Sequence, residues 1–192
     1  DSDPRGLHHE IGTGLAANMA IAFQASAIEA IQRCDLSERA KGLAIACASQ
    51  MMIDTALGQN LDLKPVETED DYYHLIRAKS SPFFTAGFGL GVLFGEASAK
   101  TYTQFAHLGQ LYGEMVQISD DLNDVMESPP NADWLEQRSP LPIFFATHVN
   151  HPERDLFCTL HEQLPTSHAV LPRLQQILIN CGSVSYAIDQ IL

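Results

Sequence analysis

The sequence predicts an all-α protein. Apolar residues recur at steps of three and four residues through most of the chain, which is the spacing that one face of an α-helix requires. Capping residues precede several of these periodic stretches. No credible run of alternating apolar and polar residues indicates a β-strand. We therefore expect residues 1–192 to form a single all-helical domain, folded as a helical bundle.

Three helices are predicted in the first part of the chain. Leu7–Arg33 is periodic and rich in alanine, and Ser37–Leu57 follows it with the first residue as a plausible N-cap. Thr68, followed three residues later by Asp71, resembles a capping box with aspartate in place of glutamate. This pattern predicts a third helix that runs through Lys79.

The chain is expected to break after the third helix and to start a fourth. Ser81 and Pro82 suit an N-cap and the first helical position. Gly87, Gly91 and Gly95 then recur every four residues. No Gly-Lys-Ser or Gly-Lys-Thr follows them, so a phosphate-binding loop is disfavoured and close packing against another helix is predicted.

The longest predicted helix, Tyr102–Met126, lies in the second half of the chain. Ser128–Asn131 contains two prolines and is typical of a loop. Shorter helices are expected from about Leu141, Pro152 and Ser167. The three aromatic residues of the fourth helix are more often found in a core than beside a reacting cation, so we expect them to be buried; they are Phe83, Phe84 and Phe88.

The longest helix carries a cluster of polar residues in an otherwise apolar sequence. Asp120 and Asp124 are spaced to lie one above the other on a helix, and Asp121 is about 100° round the axis. Gln117 stands one turn before them. Three carboxylates within one turn repel one another unless a cation lies between them, and Mg²⁺ prefers such oxygen ligands. A solvated acidic face is the alternative, but the apolar residues around the cluster make it less favourable.

Composition indicates a cytoplasmic globular protein. Hydrophobic residues make up 45% of the sequence, which is ample for a core, and the net charge of −13 argues against nucleic acid as a partner. The longest apolar stretch, Pro82–Gly95, is too short to span a bilayer, so no stable membrane insertion is expected. The four cysteines are widely spaced and are expected to be reduced thiols.

Several segments carry a family resemblance. Gly113–Asp124 has the pattern G-x-x-x-Q-x-x-D-D-x-x-D, which resembles the second aspartate-rich motif of the trans-isoprenyl diphosphate synthases. Further segments resemble this family in the family's own order: Arg5-Gly6 with His8, Gly12 and Asn18; Gly58 to Leu63; Arg77 to Ser80; and Arg138 to Pro142. The family's first aspartate-rich motif and the helices before it are not recognisable. We therefore expect the isoprenoid synthase fold without its N-terminal helices.

The resemblance implies a prenyltransferase that condenses an allylic diphosphate with isopentenyl diphosphate. In this family Mg²⁺ assists ionisation of the allylic substrate to a carbocation, which isopentenyl diphosphate attacks. The implied metal ligands are Asp120, Asp121 and Asp124, with Gln117 orienting a carboxylate or a metal-bound water. The implied contacts to the diphosphate substrates come from Arg5, Gln59, Asp62, Lys79, Ser80 and Arg138.

Three functions remain open on the sequence. A chain-elongating prenyltransferase is favoured by the retained G-Q-x-x-D and Lys-Ser segments. The second possibility is another enzyme that uses the same metal helix, either a class I terpene cyclase or a prenyltransferase with a different acceptor. The third is a non-catalytic subunit that pairs with an active synthase, which the missing first motif would suit. The resemblance also implies a homodimer.

Overall fold

The structure is a computed structural model, and it describes residues 6–61 and 66–192. Within these ranges the chain forms α-helices and one short 3₁₀-helix, and no strand. The predicted all-α fold is therefore confirmed. The helices are α1 (Leu7–Ile11), α2 (Thr13–Arg33), α3 (Glu38–Leu61), α4 (Glu69–Lys79), α5 (Ser81–Phe94), α6 (Ala99–Met126), α7 (Ala132–Leu135), α8 (Leu141–His148), α9 (Arg154–Gln163), the 3₁₀-helix His168–Val170, α10 (Leu171–Asn180) and α11 (Ser183–Ile191).

Local capping explains where α3 and α4 begin. The Ser37 hydroxyl accepts a hydrogen bond from the Ala40 amide at 3.3 Å, which confirms the predicted N-cap of α3. At α4 the Thr68 hydroxyl accepts from the Asp71 amide at 3.1 Å, and the Asp71 carboxylate accepts from the Thr68 amide at 2.9 Å. This reciprocal pair confirms the predicted capping box.

Several predicted boundaries were wrong in detail. Helix α3 continues to Leu61 instead of ending at Leu57, and α6 begins at Ala99 instead of Tyr102. The predicted helix Leu7–Arg33 is divided at Gly12, which has a φ of +84° that an α-helix cannot contain. The break after Lys79 occurs where predicted, but Ser80 and not Ser81 is the residue between α4 and α5. Pro82 lies in the first turn of α5, where its missing N–H costs no helical hydrogen bond.

Glycines allow α3, α4, α5 and α6 to approach closely. A Cβ atom on Gly58 of α3 would lie 2.0 Å from the carbonyl oxygen of Ala78 in α4. A Cβ atom on Gly109 of α6 would lie 2.6 Å from the carbonyl oxygen of Phe84 in α5. The pair α3 and α4 and the pair α5 and α6 are therefore in contact near backbone distance.

The predicted packing role of the Gly87, Gly91 and Gly95 stripe is not seen among the described residues. A Cβ atom on Gly87 or Gly91 would have no atom within 4 Å, and one on Gly95 would make only ordinary contacts. The stripe faces away from the helices that α5 packs against. The period of four was real, but periodicity alone cannot indicate which face of a helix meets its neighbour.

The core has a part that supports the acidic end of α6. One buried cluster joins α4, α6, α8 and α11; its members are Tyr72, Ile76, Ile118, Leu141 and Ala187. A larger cluster packs α7 to α10 against the end of α6, where the Trp134 indole N–H donates to the carbonyl oxygen of Val125 at 3.2 Å. The two clusters contain Ile118 and Val125 of α6, so both pack against the part of the helix that carries Asp121.

Helix α2 is apolar and largely exposed. Thr13–Arg33 is long enough to cross a membrane by length and composition, with a mean hydropathy of 1.3, and Ile31 is its one buried residue. The sequence predicted this helix but not its capacity to cross a membrane, because the longest uninterrupted apolar run lies elsewhere, at Pro82–Gly95. A core helix of a soluble protein meets the same criterion, so this finding alone does not establish membrane insertion.

Candidate functional site

Four of the predicted site residues line one cavity. The cavity has a volume of about 240 Å³ and lies between the ends of α4 and α6 and the segment 133–140. Lys79, Gln117, Asp121 and Arg138 contribute side chains to it, although they come from three separate parts of the sequence. The rest of its lining comprises Val66, Tyr72, Leu75, Ile76, Asp133, Glu136, Gln137, Ser139 and Pro140.

Asp121 is buried and fully engaged by protein donors. Its Oδ2 accepts hydrogen bonds from the Tyr72 hydroxyl at 2.8 Å and from the Leu141 amide at 3.0 Å, and its Oδ1 accepts from Gln117 Nε2 at 2.8 Å. Burial raises the pKa of Asp121 to about 6, against the opposing effect of the three donors, and nearby Asp133 raises it further. The carboxylate is 5% exposed.

A second hydrogen bond connects Asp121 to the break between α4 and α5. The Ser80 hydroxyl donates to Gln117 Oε1 at 2.5 Å, so that Gln117 bridges Ser80 and Asp121. Lys79 precedes Ser80 and lines the cavity. The chain break and the acidic turn of α6 are therefore held together by side-chain hydrogen bonds, with Lys79 next to the break.

Asp120 and Asp124, which we call the outer aspartates, lie apart from Asp121, as the helical spacing predicted. Asp120 is exposed and Asp124 is half-buried, and neither lines the cavity. Burial raises the pKa of Asp124, and the neighbouring carboxylates of Asp133, Glu127 and Asp120 raise it further. Asp124 lines an adjacent groove together with Glu127, Asn131, Ala132, Asp133, Glu136 and Arg138.

Arg138 lies at the boundary between the cavity and the groove. Its guanidinium donates to Glu136 at 2.8 and 3.1 Å and forms an ion pair with Asp133 at 3.5 Å. The side chain is 41% exposed, so it borders on solvent. The arginine brings a positive charge to the rim of an otherwise acidic region.

The other predicted substrate-binding residues are distributed differently. Gln59 is exposed near the end of α3 and does not line the cavity, although the adjacent Gly58 packs against α4. Arg5 and Asp62 lie outside the described residues, so their predicted roles are not tested.

The structure adds two side chains that the sequence analysis missed. Tyr72 lies seven residues before Lys79, and this spacing places both on one side of α4. That spacing could have indicated from the sequence that Tyr72 lies on the same side of the helix as the predicted site residue Lys79. Asp133 falls in the short helix α7, in a segment that was not predicted to be helical. Nothing in the local sequence indicated that Asp133 would lie near Asp124.

An aromatic cluster lies on α5 and α6. The Phe84 ring meets Tyr112 edge-on at 5.2 Å, and Phe88 lies 5.9 Å from the same tyrosine. Phe83 is 62% exposed, so the prediction that it is buried was wrong. Tyr112 lies eight residues before Asp120, which corresponds to about 12 Å along the helix axis. An apolar surface is therefore available near the acidic turn.

The carboxylates suit a metal that arrives with a phosphate group better than a metal held by protein alone. No group of three or more histidine, cysteine, aspartate or glutamate side chains is arranged to hold a metal ion in the part of the chain that the structure describes. The outer aspartates provide two accessible carboxylates in a region crowded with negative charge. Mg²⁺ is commonly bound by one or two carboxylates, with water and substrate phosphates completing its shell. The residues present fit that mode of binding.

The fold is similar to those of several solved structures. The geranylgeranyl pyrophosphate synthetase from Pyrococcus horikoshii Ot3 is 20% identical, with a TM-score of 0.82, and the match covers 100% of this chain and 62% of that one. The geranylgeranyl pyrophosphate synthase from Bacteroides thetaiotaomicron is 20% identical, with a TM-score of 0.78 and coverages of 96% and 63%. A polyprenyl synthase from Roseobacter denitrificans is 17% identical, with a TM-score of 0.75 and coverages of 96% and 61%.

This chain thus spans about three-fifths of the length of these structures, and at such identities the similarity shows the fold alone. None of the curated proteins is significantly similar in sequence. The sequence nevertheless matches the family model described as polyprenyl synthetase over residues 5–178, which is most of the chain. The chain therefore belongs to the polyprenyl synthetase family.

Proposed function

We propose that this protein is a prenyltransferase that joins an allylic diphosphate to isopentenyl diphosphate. The observation that carries this proposal is the convergence of Lys79, Gln117, Asp121 and Arg138 on one cavity, with the outer aspartates beside it. These residues come from the three sequence segments that resemble the substrate-binding and metal-binding motifs of the family. Membership of the polyprenyl synthetase family supports the same reaction.

The outer aspartates, Asp120 and Asp124, are the carboxylates that we propose to hold Mg²⁺ together with the substrate diphosphate. They are more accessible than Asp121, and their mutual repulsion would be relieved by a cation. Bound Mg²⁺ supplies positive charge beside a diphosphate whose negative charge increases as the allylic C–O bond breaks.

The protein's own cations would bind the same diphosphate. Lys79 lines the cavity and would contribute its ammonium, and the Arg138 guanidinium is suited to bind two phosphate oxygens at once. Arg138 would have to exchange its contacts with Glu136 and Asp133 for the substrate. The apolar surface around Tyr112 would accept the prenyl chain and keep water from the carbocation.

The test is an elongation assay with isopentenyl and allylic diphosphates and Mg²⁺, in which the product is longer than the allylic substrate by five-carbon units. We expect Asp120→Asn to reduce the rate by about 100-fold or more, because it removes a carboxylate that would hold the metal. The matched control is Asp155→Asn, which changes an exposed aspartate of α9 away from the site and should leave the rate unchanged.

The same assay separates the alternatives. Release of a hydrocarbon or an alcohol from the allylic diphosphate alone, without elongation, would indicate a cyclase. Equal rates for Asp120→Asn and the control would contradict the proposed metal site.

A further inference from the structure

The three aspartates of the motif differ in their surroundings. Asp121 is 5% exposed, whereas Asp120 is exposed and Asp124 is half-buried. A carboxylate offers about four positions at which it accepts hydrogen bonds. Three donors already occupy such positions on Asp121: the Tyr72 hydroxyl and the Leu141 amide donate to Oδ2, and the Gln117 amide donates to Oδ1. Little of this carboxylate remains for a hydrated Mg²⁺, which keeps several waters.

The donors to Asp121 come from different parts of the fold. Tyr72 belongs to α4 and is 2% exposed, and Leu141 is the first residue of α8. Gln117 lies one turn earlier in α6, and it accepts in turn from Ser80 at the break between α4 and α5. One buried carboxylate therefore connects α4, the start of α5, α6 and α8.

These connected segments are the ones that carry the proposed substrate contacts. Lys79 is adjacent to Ser80, and Arg138 lies three residues before Leu141. The outer aspartates flank Asp121 on α6. A change in the hydrogen bonds of Asp121 would therefore alter the distances between the cations and the outer aspartates.

We propose that Asp121 is a positioning residue that does not bind metal, and that the Tyr72 hydroxyl is the partner that holds it. The buried carboxylate fixes Lys79 and Arg138 relative to the outer aspartates. This inference rests on the proposed function, because it concerns how the diphosphate and metal site is held in place.

The first test is Asp121→Asn, which removes the charge and can retain the hydrogen bonds. The asparagine oxygen accepts from Tyr72 and Leu141 as the carboxylate did. Its amide group donates to Gln117 once the glutamine amide has turned over, and the Ser80 hydroxyl then accepts from that glutamine. Loss of charge is thereby separated from loss of geometry.

The measurement is the rise in melting temperature that inorganic pyrophosphate causes as Mg²⁺ is titrated. We expect the Mg²⁺ concentration at half-maximal stabilisation to be at least about tenfold higher in Asp120→Asn than in Asp121→Asn. Equal increases in the two variants would overturn the proposal, because they would mean that Asp121 binds the metal as Asp120 does.

The second test compares Tyr72→Phe with Tyr73→Phe. The Tyr73 hydroxyl donates to Gln190 at 2.8 Å, so the control removes a bond of the same length from the next residue of the same helix. We expect Tyr72→Phe to weaken pyrophosphate binding by about tenfold, because loss of the hydrogen bond that holds Asp121 would displace Lys79 and Arg138, and we expect the control to leave the binding unchanged. Equal weakening of pyrophosphate binding in both variants would mean that Tyr72 contributes only to general stability, and it would overturn the proposal.

A metal-free measurement tests the positioning directly. Trp134, the only tryptophan in the sequence, is fully buried, donates to the Val125 carbonyl at the end of α6 and lies four residues before Arg138, so its fluorescence reports on the segment that leads to α8. Acrylamide quenching of the protein without metal or diphosphate should increase in Tyr72→Phe and not in Tyr73→Phe. An unchanged quenching constant in Tyr72→Phe would count against the proposal. This result does not depend on prenyl transfer, so failure of the elongation assay would contradict the proposed function without deciding the role of Asp121.

Discussion

At the scale of single residues, the ion pair between α4 and α6 lies just outside the cavity. The Arg77 guanidinium donates to both carboxylate oxygens of Glu114, at 2.9 and 3.1 Å, and Gln110 donates to the same glutamate. Glu114 is 8% exposed, whereas the Arg77 side chain is 52% exposed. Burial alone would raise the pKa of Glu114, but the hydrogen bonds from Arg77 and Gln110 outweigh it and lower the pKa below its usual value.

The lowered pKa predicts how stability depends on pH. A carboxyl group whose pKa is lower in the folded state contributes stability above its unfolded pKa, and this contribution is lost as the pH falls through the folded value. We expect Glu114→Gln to reduce the free energy of unfolding at pH 7 by about 1 kcal/mol, since the exposed arginine is partly screened. The difference from wild type should disappear in strong acid. Urea unfolding between pH 2 and pH 7 measures it, and a difference that grows on acidification would contradict the assignment.

The exposed pair of Arg33 and Glu29 in α2 provides the control. Both side chains are more than half exposed, and the residues are four apart on one helix. Such a pair contributes less than about 0.5 kcal/mol. Glu29→Gln should therefore leave the pH dependence nearly unchanged.

At the scale of elements, the contact between α3 and α4 depends on Gly58. We expect Gly58→Ala to destabilise the protein by about 2 kcal/mol or more, because the new methyl group would meet the backbone of Ala78 and separate the helices. Gly42→Ala and Gly87→Ala are matched controls, since neither new methyl group meets any atom within 4 Å. Both lie inside helices, so alanine should stabilise them by up to about 1 kcal/mol. Thermal unfolding of the three variants measures the difference, and a neutral Gly58→Ala would disprove the close contact.

Helix positions were largely predictable because their signals are local. The Thr68–Asp71 capping box and the Ser37 cap both lie within three residues of the helix that they start, and both were found. The split at Gly12 was missed because apolar residues at helical spacing, namely Leu7, Ile11 and Leu15, continue across it. Local capping residues thus predict where these helices begin. The break at Gly12 is the exception, because the periodic pattern gives no sign of the positive φ of this glycine.

The candidate site was only partly predictable, because its decisive contacts are not local. The Tyr72 hydroxyl reaches Asp121 across 49 positions of sequence, and no local pattern encodes that bond. The motif correctly predicted that Asp120, Asp121 and Asp124 lie close together on one helix. It did not indicate that Asp121 alone among them is buried. Burial is decided by which neighbour packs on each face, and that is a property of the folded chain.

At the scale of the whole molecule, α2 presents an unusual surface. Ile21 is 64% exposed and Phe23 is 66% exposed, and two residues at this spacing lie on opposite sides of a helix. A helix that is apolar on all sides is normally covered by other elements. The family resemblance implies that the covering partner is a second copy of this chain.

We therefore predict a homodimer in which α2 is covered. Light scattering after gel filtration should give a mass near twice the 21.1 kDa of the chain. Phe23→Glu should shift the mass towards the monomer, because a charge in a buried apolar interface loses its hydration. Leu156→Glu changes a leucine of α9 that is 43% exposed, and as the control it should leave the dimer intact.

Membrane association is the competing explanation for the same exposed helix, and it predicts a different result. Sedimentation with phospholipid vesicles would then carry the wild-type protein into the pellet, and Phe23→Glu would release it. A monomeric wild-type protein that pellets with vesicles would contradict the dimer and assign α2 to a lipid surface. A dimer that stays in the supernatant would mean that the apolar side chains of α2 are already covered by protein, since an apolar helix that is buried in an interface has no free face to offer to lipid.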